Sequence, residues 1–201
     1  MNTLLSTTYF GPVQWYQKLY RSKSVAIDVN EPFLKQTYRN RCYIAAANGV
    51  QALTVPVEKA QLTRDVRISD HGNWRHQHWN AIVSAYGESP FFEYYQDDLR
   101  PFYEQRWEFL ADFNEAIMNT VCQLIDIQPS FVPCDLPSFS EGVGEDLCDM
   151  RTAINPKHPA ADETFVPRSY YQVYAQRHGF LQNLSILDLL LNMGPESIFF
   201  L

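Results

Sequence analysis

The chain has 201 residues, the length of one ordinary domain or two small ones, and it can build a core without metal or disulfide support. Hydrophobic residues make up 46%, aromatics 14% and charged residues 19%, which excludes disorder as the main state. A net charge of −7 argues against general nucleic-acid or anionic-membrane binding, since both need basic faces.

The opening stretch, residues 1–10, has neither a basic leader nor a long apolar run, so no signal peptide is expected. No segment approaches the ~20 apolar residues of a membrane span. Cys42, Cys122, Cys134 and Cys148 are widely separated and form no C-x-x-C pair. That is the pattern of buried fillers in a reduced, cytoplasmic protein. Leu4 to Phe10 reads as a buried strand broken by Gly11-Pro12. Val13 to Arg21 places Trp15 with Leu19 and Tyr16 with Tyr20 at spacing four, which predicts a helix, and Ser24 to Val29 is a second strand. Strand, helix, strand in such a short span predicts a parallel βαβ unit. Asn30 to Tyr38 reads as a loop.

Next, two β-rich runs, Cys42-Tyr43-Ile44 and Ala52 to Val55, flank Asn48-Gly49, the preferred two-residue hairpin turn. Val66-Arg67-Ile68 could add an edge strand. Asn73 is the expected N-cap of a helix from Trp74 to Tyr86, closed by Gly87. Pro90 to Gln96 predicts a short helix or turn. Residues 101–125 carry apolar positions at spacings of three and four, with a gap near Arg106, and predict one long amphipathic helix stopped by Pro129. Ser130 to Val132 is a further strand candidate. Residues 133–167 are proline-rich, with Gly142 and Gly144, and read as an irregular excursion over one face. Tyr170 to Tyr174 is strand-like. Ser185 to Asp188 fits a capping box for a last helix, Ile186 to Asn192, ended by Gly194-Pro195. The expected fold is a single α/β domain over 1–201. It has a mixed sheet of about five strands, with a parallel βαβ start and an antiparallel hairpin, packed by the long helix.

Charge is polarised. Residues 17–41 hold six basic side chains against two acidic ones, while residues 88–115 hold two basic against eight acidic. The acidic stretch reads as a solvated helix face. The basic stretch lies beside the first strand–helix junction, where a parallel sheet places its ligand crevice. Arg39-Asn40-Arg41 offers two planar guanidinium groups and an amide, suited either to an anion or to loop carbonyls. Tyr9 ends the first strand at that same edge, as a ligand contact or as an interface aromatic. His71, His76 and His78 cluster within eight residues. Positions 76 and 78 point roughly 200° apart on a helix, so no shared metal face is expected. His78 alone is either an acid/base group or a half-buried helix histidine. There is no P-loop, G-x-G-x-x-G, G-x-S-x-G or H-E-x-x-H pattern.

Four blocks of sequence resemble the WbqC-like family. They are the opening Leu4 to Tyr16 (LLSTTYFGPVQWY), Tyr38 to Ile44 followed by Leu53 to Val57, Trp74-Arg75-His76-Gln77-His78, and Asn183 to Leu190 with Asn192 and Gly194-Pro195. They run in order along nearly the whole chain. The resemblance implies a cytoplasmic bacterial protein whose polar signature is Tyr9, Arg39, Asn40, Arg41, Trp74, His78, Asn183 and Asn192. Some members lie among genes for surface polysaccharide (O-antigen) synthesis. The resemblance therefore also implies a transferase that moves a small group, an amino acid or acyl, to a sugar or similar anionic metabolite. Longer members carry an extra strand and a glycine-rich stretch after the long helix, which the 133–167 segment replaces here. In the expected mechanism Arg39 and Arg41 hold the anion, Asn40 orients the acceptor and His78 is the general base. The rival expectation is a non-catalytic binding or assembly module for the same pathway. A nucleotide sugar and a second copy of the chain are the candidate partners, with nucleic acid and membrane insertion disfavoured and no cofactor indicated.

Overall fold

The computed structural model describes residues 1–134 and 147–201. The central strand is β1 (Asn2–Ser6), which pairs in parallel with β2 (Ser24–Asp28) on one side and β5 (Leu147–Asp149) on the other. Thr3, Leu4 and Leu5 are buried, as expected of a strand covered on both faces and paired on both edges. Leu4 stands opposite Ala26 of β2 and Asp149 of β5. The crossover from β1 to β2 is α1 (Val13–Arg21), which buries every residue from Val13 to Leu19. The parallel βαβ start is present as expected.

The hairpin is a separate two-stranded sheet of β3 (Arg41–Ala46) and β4 (Gly49–Thr54). The α/β class with both expected strand units holds, but the strands sort into two sheets and not into one mixed sheet. Its turn is also displaced by one residue. Ala46 pairs with Gly49, so Ala47 and Asn48 form the loop, and Gly49 alone carries the left-handed φ of 108°. Val66 to Ile68 contributes only isolated bridges, Val57 with Ile68 and Arg67 with Phe109.

The helix over Trp74–Tyr86 (α2) forms as expected. The long helix does not run unbroken from Pro101. The short helix expected over Pro90 to Gln96 forms as α3 (Phe92–Leu99), and the long one divides into α4 (Pro101–Glu104) and α5 (Leu110–Leu124), with an extended break where the apolar pattern lapses near Arg106. Its end also precedes Pro129. Asp126 adopts φ 55°, and the amides of Asp126 and Ile127 return to the carbonyls of Gln123 and Cys122. That Schellman closure ends the helix without any proline.

Part of the excursion is regular structure. Its residues 147–149 are β5, and Met150 continues the ladder by donating to the Leu4 carbonyl at 2.9 Å. Pro137, Gly142 and Gly144 lie outside the described residues. Tyr170 to Tyr174 is not a strand. It runs as coil and turn into the single-turn helix α6 (Ala175–His178). The last helix is α7 (Ile186–Met193), and the Ser185 hydroxyl caps it by accepting from the Leu187 amide. Asp188 takes no part in a capping box. Its carboxylate turns inward and accepts from Tyr86 Oη at 2.9 Å, Tyr170 Oη at 2.7 Å and Gln172 Nε2 at 2.7 Å, which ties α7 to α2 and to the 170–172 segment. A large core of buried side chains joins most of these elements, and a small second cluster of Leu4 and Ala26 lies on the parallel sheet.

Candidate functional site

Tyr9 follows β1 and is fixed by its backbone. Its amide donates to the Tyr38 carbonyl at 2.9 Å, and Phe10 is held at φ 41°. A left-handed phenylalanine costs on the order of 1–2 kcal/mol. The strain is held by the chain before α7, where Ser185 Oγ donates to the Phe10 carbonyl at 2.8 Å and the Ile186 amide to the Gly11 carbonyl at 2.9 Å. Two of the motif blocks picked out from sequence, the opening and the C-terminal one, therefore meet here.

The Tyr9 hydroxyl sits 2.9 Å from His78 Nδ1 and 2.8 Å from the Tyr103 hydroxyl. Burial drives the His78 imidazole down to about 4, against the opposing pull of its hydrogen bond to the Thr54 backbone. Burial likewise raises Tyr9 and Tyr103 well above the usual phenol range. At neutral pH all three are uncharged, so Tyr103 donates to Tyr9, Tyr9 to His78, and His78 to Thr54. Phe113 stacks on Tyr9 at 5.7 Å, and Phe10 and Trp74 close the remaining sides. Tyr9 and His78 thus do meet as expected. They meet inside packed rings.

Arg39 is buried, and four of its five N–H donors are engaged. It grips Glu31 with Nε at 2.7 Å and Nη2 at 2.6 Å, and it also reaches Thr37 Oγ1 and Ser6 Oγ. Its guanidinium is already committed to a carboxylate, so the expected role of Arg39 as an anion holder competes with a buried ion pair to Glu31. Asn40 donates to the Val55 carbonyl at 3.0 Å and stitches β3 to the end of the hairpin, while its Oδ1 is buried without a partner. Arg41 is half-buried, its Nε 2.7 Å from Thr54 Oγ1. Trp74 donates to the Ser69 carbonyl and packs edge-on against His78. Asn192 donates one turn back, to the Asp188 carbonyl.

Asn183 has a different task. α1 starts after Pro12 with no capping side chain of its own. Asn183 Oδ1 accepts the Gln14 amide at 3.0 Å, and the Leu184 carbonyl accepts the Val13 amide at 3.0 Å. Two orphan donors of the first turn are therefore satisfied from a distant part of the chain.

The carboxyl edge of the parallel sheet carries further charge. Asp28, fully buried, pairs with Arg151 at 2.6 Å, and Arg151 also binds Asp149, whose carboxyl it holds below the usual range. Two carboxylates thus share one guanidinium at this edge.

An open crevice of about 440 Å³ adjoins that edge. Thr7 and Thr8 from the end of β1, Ile27 and Val29 from β2, and Asp112, Asn114, Glu115 and Asn119 from α5 are among its walls, with Trp15 and Phe131 as aromatic surfaces. This is where open parallel sheets place small ligands, and the volume lies in the usual range for such sites. Thr8 and Asn114 are only 4% and 1% exposed, yet Thr8 Oγ1 and Asn114 Oδ1 have no hydrogen-bond partner. Asn114 Nδ2 donates to the Arg39 carbonyl at 2.8 Å, which fixes which side of the amide is left over. Buried polar atoms without partners are uncommon in folded proteins and call for an explanation.

A second hollow, about 290 Å³, opens at the start of α2 between Asn73, Arg75, His76, Arg100, Tyr103 and Glu104. No side chain caps α2. Arg75 stacks on Trp74 and pairs with Asp70 at 2.7 Å, but its Nε and Nη2 have no partner. This hollow is rich in donors, where the crevice is rich in acceptors.

Sequence reasoning missed the crevice residues. Thr7 and Thr8 lie within the opening block, directly after the first parallel strand, but Tyr9 drew the attention. Asn114 carried a signal of its own. It is an amide set among the buried stripe Leu110, Phe113, Ile117, Met118 and Val121, where an apolar residue is expected.

The comparisons with known proteins agree with the motif blocks. A protein of Mycobacterium tuberculosis (strain ATCC 25618 / H37Rv), described as uncharacterized protein Rv1507c, is 26% identical over 191 residues, covering 82% of this chain and 81% of that one. No solved structure matches. Residues 7–158 match the WbqC-like protein family, a span that takes in β1's exit, Arg39, the hairpin, His78 and all of α5, and so the chain belongs to that family.

Proposed function

We propose that this protein is a transferase that places a small group, an amino acid or acyl, on a sugar in bacterial surface-polysaccharide synthesis, with the sugar seated in the crevice. The observation that carries this reading is the pair of buried oxygens, Thr8 Oγ1 and Asn114 Oδ1, left without partners in the wall of a cleft at the carboxyl ends of β1 and β2. A sugar supplies hydroxyls that both donate and accept, and ring faces that lie against Trp15 and Phe131. Glu115 and Asp112 line the same cleft and supply carboxylates to accept a proton from the attacking group. An anionic part of the substrate is better matched by Arg75 at the start of α2, whose Nε and Nη2 are unpartnered, than by Arg39, whose charge is spent on Glu31.

His78 is not the base in this reading. It touches Tyr9 and Thr54 and holds the wall behind Trp74. The sealing of that imidazole favours a second reading, a module that binds the sugar without turning it over. Incubating the protein with sugars and nucleotide sugars, together with activated amino-acid and acyl donors, and following product mass separates the two. A mass gain that disappears in Glu115→Gln supports transfer. Saturable binding with no mass gain under any pairing leaves the module.

A further inference from the structure

We propose that the outer edge of β4 pairs with the same edge of a second copy of this chain, which joins two hairpins into one antiparallel sheet. The register fixes which backbone groups are free. The Val55 amide donates to the Asn40 carbonyl at 2.8 Å, so the alternate residues Leu53, Gln51 and Gly49 turn their amides and carbonyls towards β3. Val50, Ala52 and Thr54 turn theirs outward. The Thr54 backbone is taken by His78. Among the described residues nothing bonds the outward groups of Val50 and Ala52, and Val50, Gln51 and Ala52 are all exposed. The other edge of the hairpin is arranged differently. On β3 the Tyr43 carbonyl accepts from the Ser185 amide at 2.8 Å, and the Ala45 amide donates to Tyr86 Oη at 3.2 Å. The outer edge of β2 is covered as well, by residues 130–132, which bond both the amide and the carbonyl of Val25.

Free sheet edges are ordinarily blunted by a charged side chain, a proline or a bulge. β4 has none of these. Gly49-Val50-Gln51-Ala52-Leu53-Thr54 is uncharged and lacks proline, and it pairs with β3 residue for residue. The edge is also complementary to itself. A two-fold axis at Gln51 sets Val50 of one copy opposite Ala52 of the other. Each such pair exchanges both of its backbone bonds, so every outward group of the two residues is satisfied in both copies. The chain carries a net charge of −7, and this seam brings no like charges into contact. Beside it an open groove of about 640 Å³, lined by the hairpin turn and by Ala81, Ser84 and Ala85 of α2, leaves room for an added strand. A ladder this short makes a small interface, so the dimer is weak and reversible.

The test is sedimentation velocity of the full chain over a rising concentration series. A monomer–dimer equilibrium is expected, with a dissociation constant of about 100 μM. Gln51 faces its own copy across the axis, so Gln51→Lys sets like charges directly opposite one another and should weaken the dimer by about fivefold. Gln51→Glu should do the same, and mixing the two variants should restore association, because opposite charges then face each other. Ala52→Pro removes an outward donor that the hairpin does not use and should weaken association by about tenfold while the melting temperature of the dilute protein stays the same. The charge pair leaves the backbone alone, so it decides the matter even if the proline loosens the hairpin. A protein that stays monomeric at the highest concentration overturns the proposal. So does a dimer indifferent to the Gln51 variants, or a mixture of the two that associates no better than either alone.

Discussion

Phe113 and Asn114 are neighbours on α5, yet they face two different regions. Phe113 stacks on Tyr9 in the sealed Tyr103–Tyr9–His78 chain, while Asn114 stands in the wall of the crevice. Both regions hold buried polar groups. In the first, every hydroxyl and ring nitrogen finds a partner within the protein. In the second, two oxygens do not. A satisfied polar network is a structural device, because its members have nothing left to offer. Unpartnered groups beside open space are where a ligand gains most.

The largest expected effect tests the claim that Arg39 is structural. Arg39→Leu strands the Glu31 carboxylate in a buried site and should cost about 3–5 kcal/mol in urea unfolding. A stable Arg39→Leu protein that loses only ligand binding would restore Arg39 to the site. Next comes pH. The folded imidazole of His78 titrates near 4 and the unfolded one near 6.5, so the unfolded state takes up the proton first as pH falls. Stability conferred by the neutral ring is full above about pH 6.5 and is lost towards pH 4, by about 3 kcal/mol over the whole gap. His78→Gln should flatten that slope when unfolding midpoints are compared at the two ends of the window. Asp188, whose carboxyl burial pushes up, acts with the opposite sign and remains in both proteins.

Smaller effects sharpen the contrast. Tyr9→Phe leaves His78 Nδ1 and the Tyr103 hydroxyl without their partner and should cost about 1–3 kcal/mol, with ligand affinity in the crevice intact. Binding that falls with Tyr9→Phe while stability holds would erase the distinction between the two regions. Asn183→Ala removes a helix cap and should cost about 1 kcal/mol. Glu115→Gln, on the exposed face of α5, should shift stability by less than about 0.5 kcal/mol.

The elements that sequence made legible are those whose signals are local. The βαβ start, α1, α2 and the Ser185 cap follow from periodicity and from residues adjacent in the chain. The rest depended on distant partners. β5 is three residues in a proline-rich setting, and only the free edge of β1 makes it a strand. Tyr170 to Tyr174 has strand composition, but no strand edge takes it up, and Tyr170 is spent on Asp188 instead. The same holds for the site. Tyr9 and His78 were singled out and do meet, but composition could not tell that rings enclose them. The arginine at position 39 read as an anion trap because Glu31, eight residues earlier, gives no local sign of being its mate.

The hold that Asn183 and Leu184 have on the first turn of α1 has a consequence for how the chain is made. During synthesis the opening strand and helix leave the ribosome long before the stretch that completes them, a separation of 169 residues between Gln14 and Asn183. The βαβ unit then waits, its helix start open to water, until nearly the whole polypeptide has emerged. Such long-range closure slows folding and makes it an all-or-none event. Ribosome-bound chains halted before position 183 should therefore be digested by protease throughout α1, and chains released past α7 should resist.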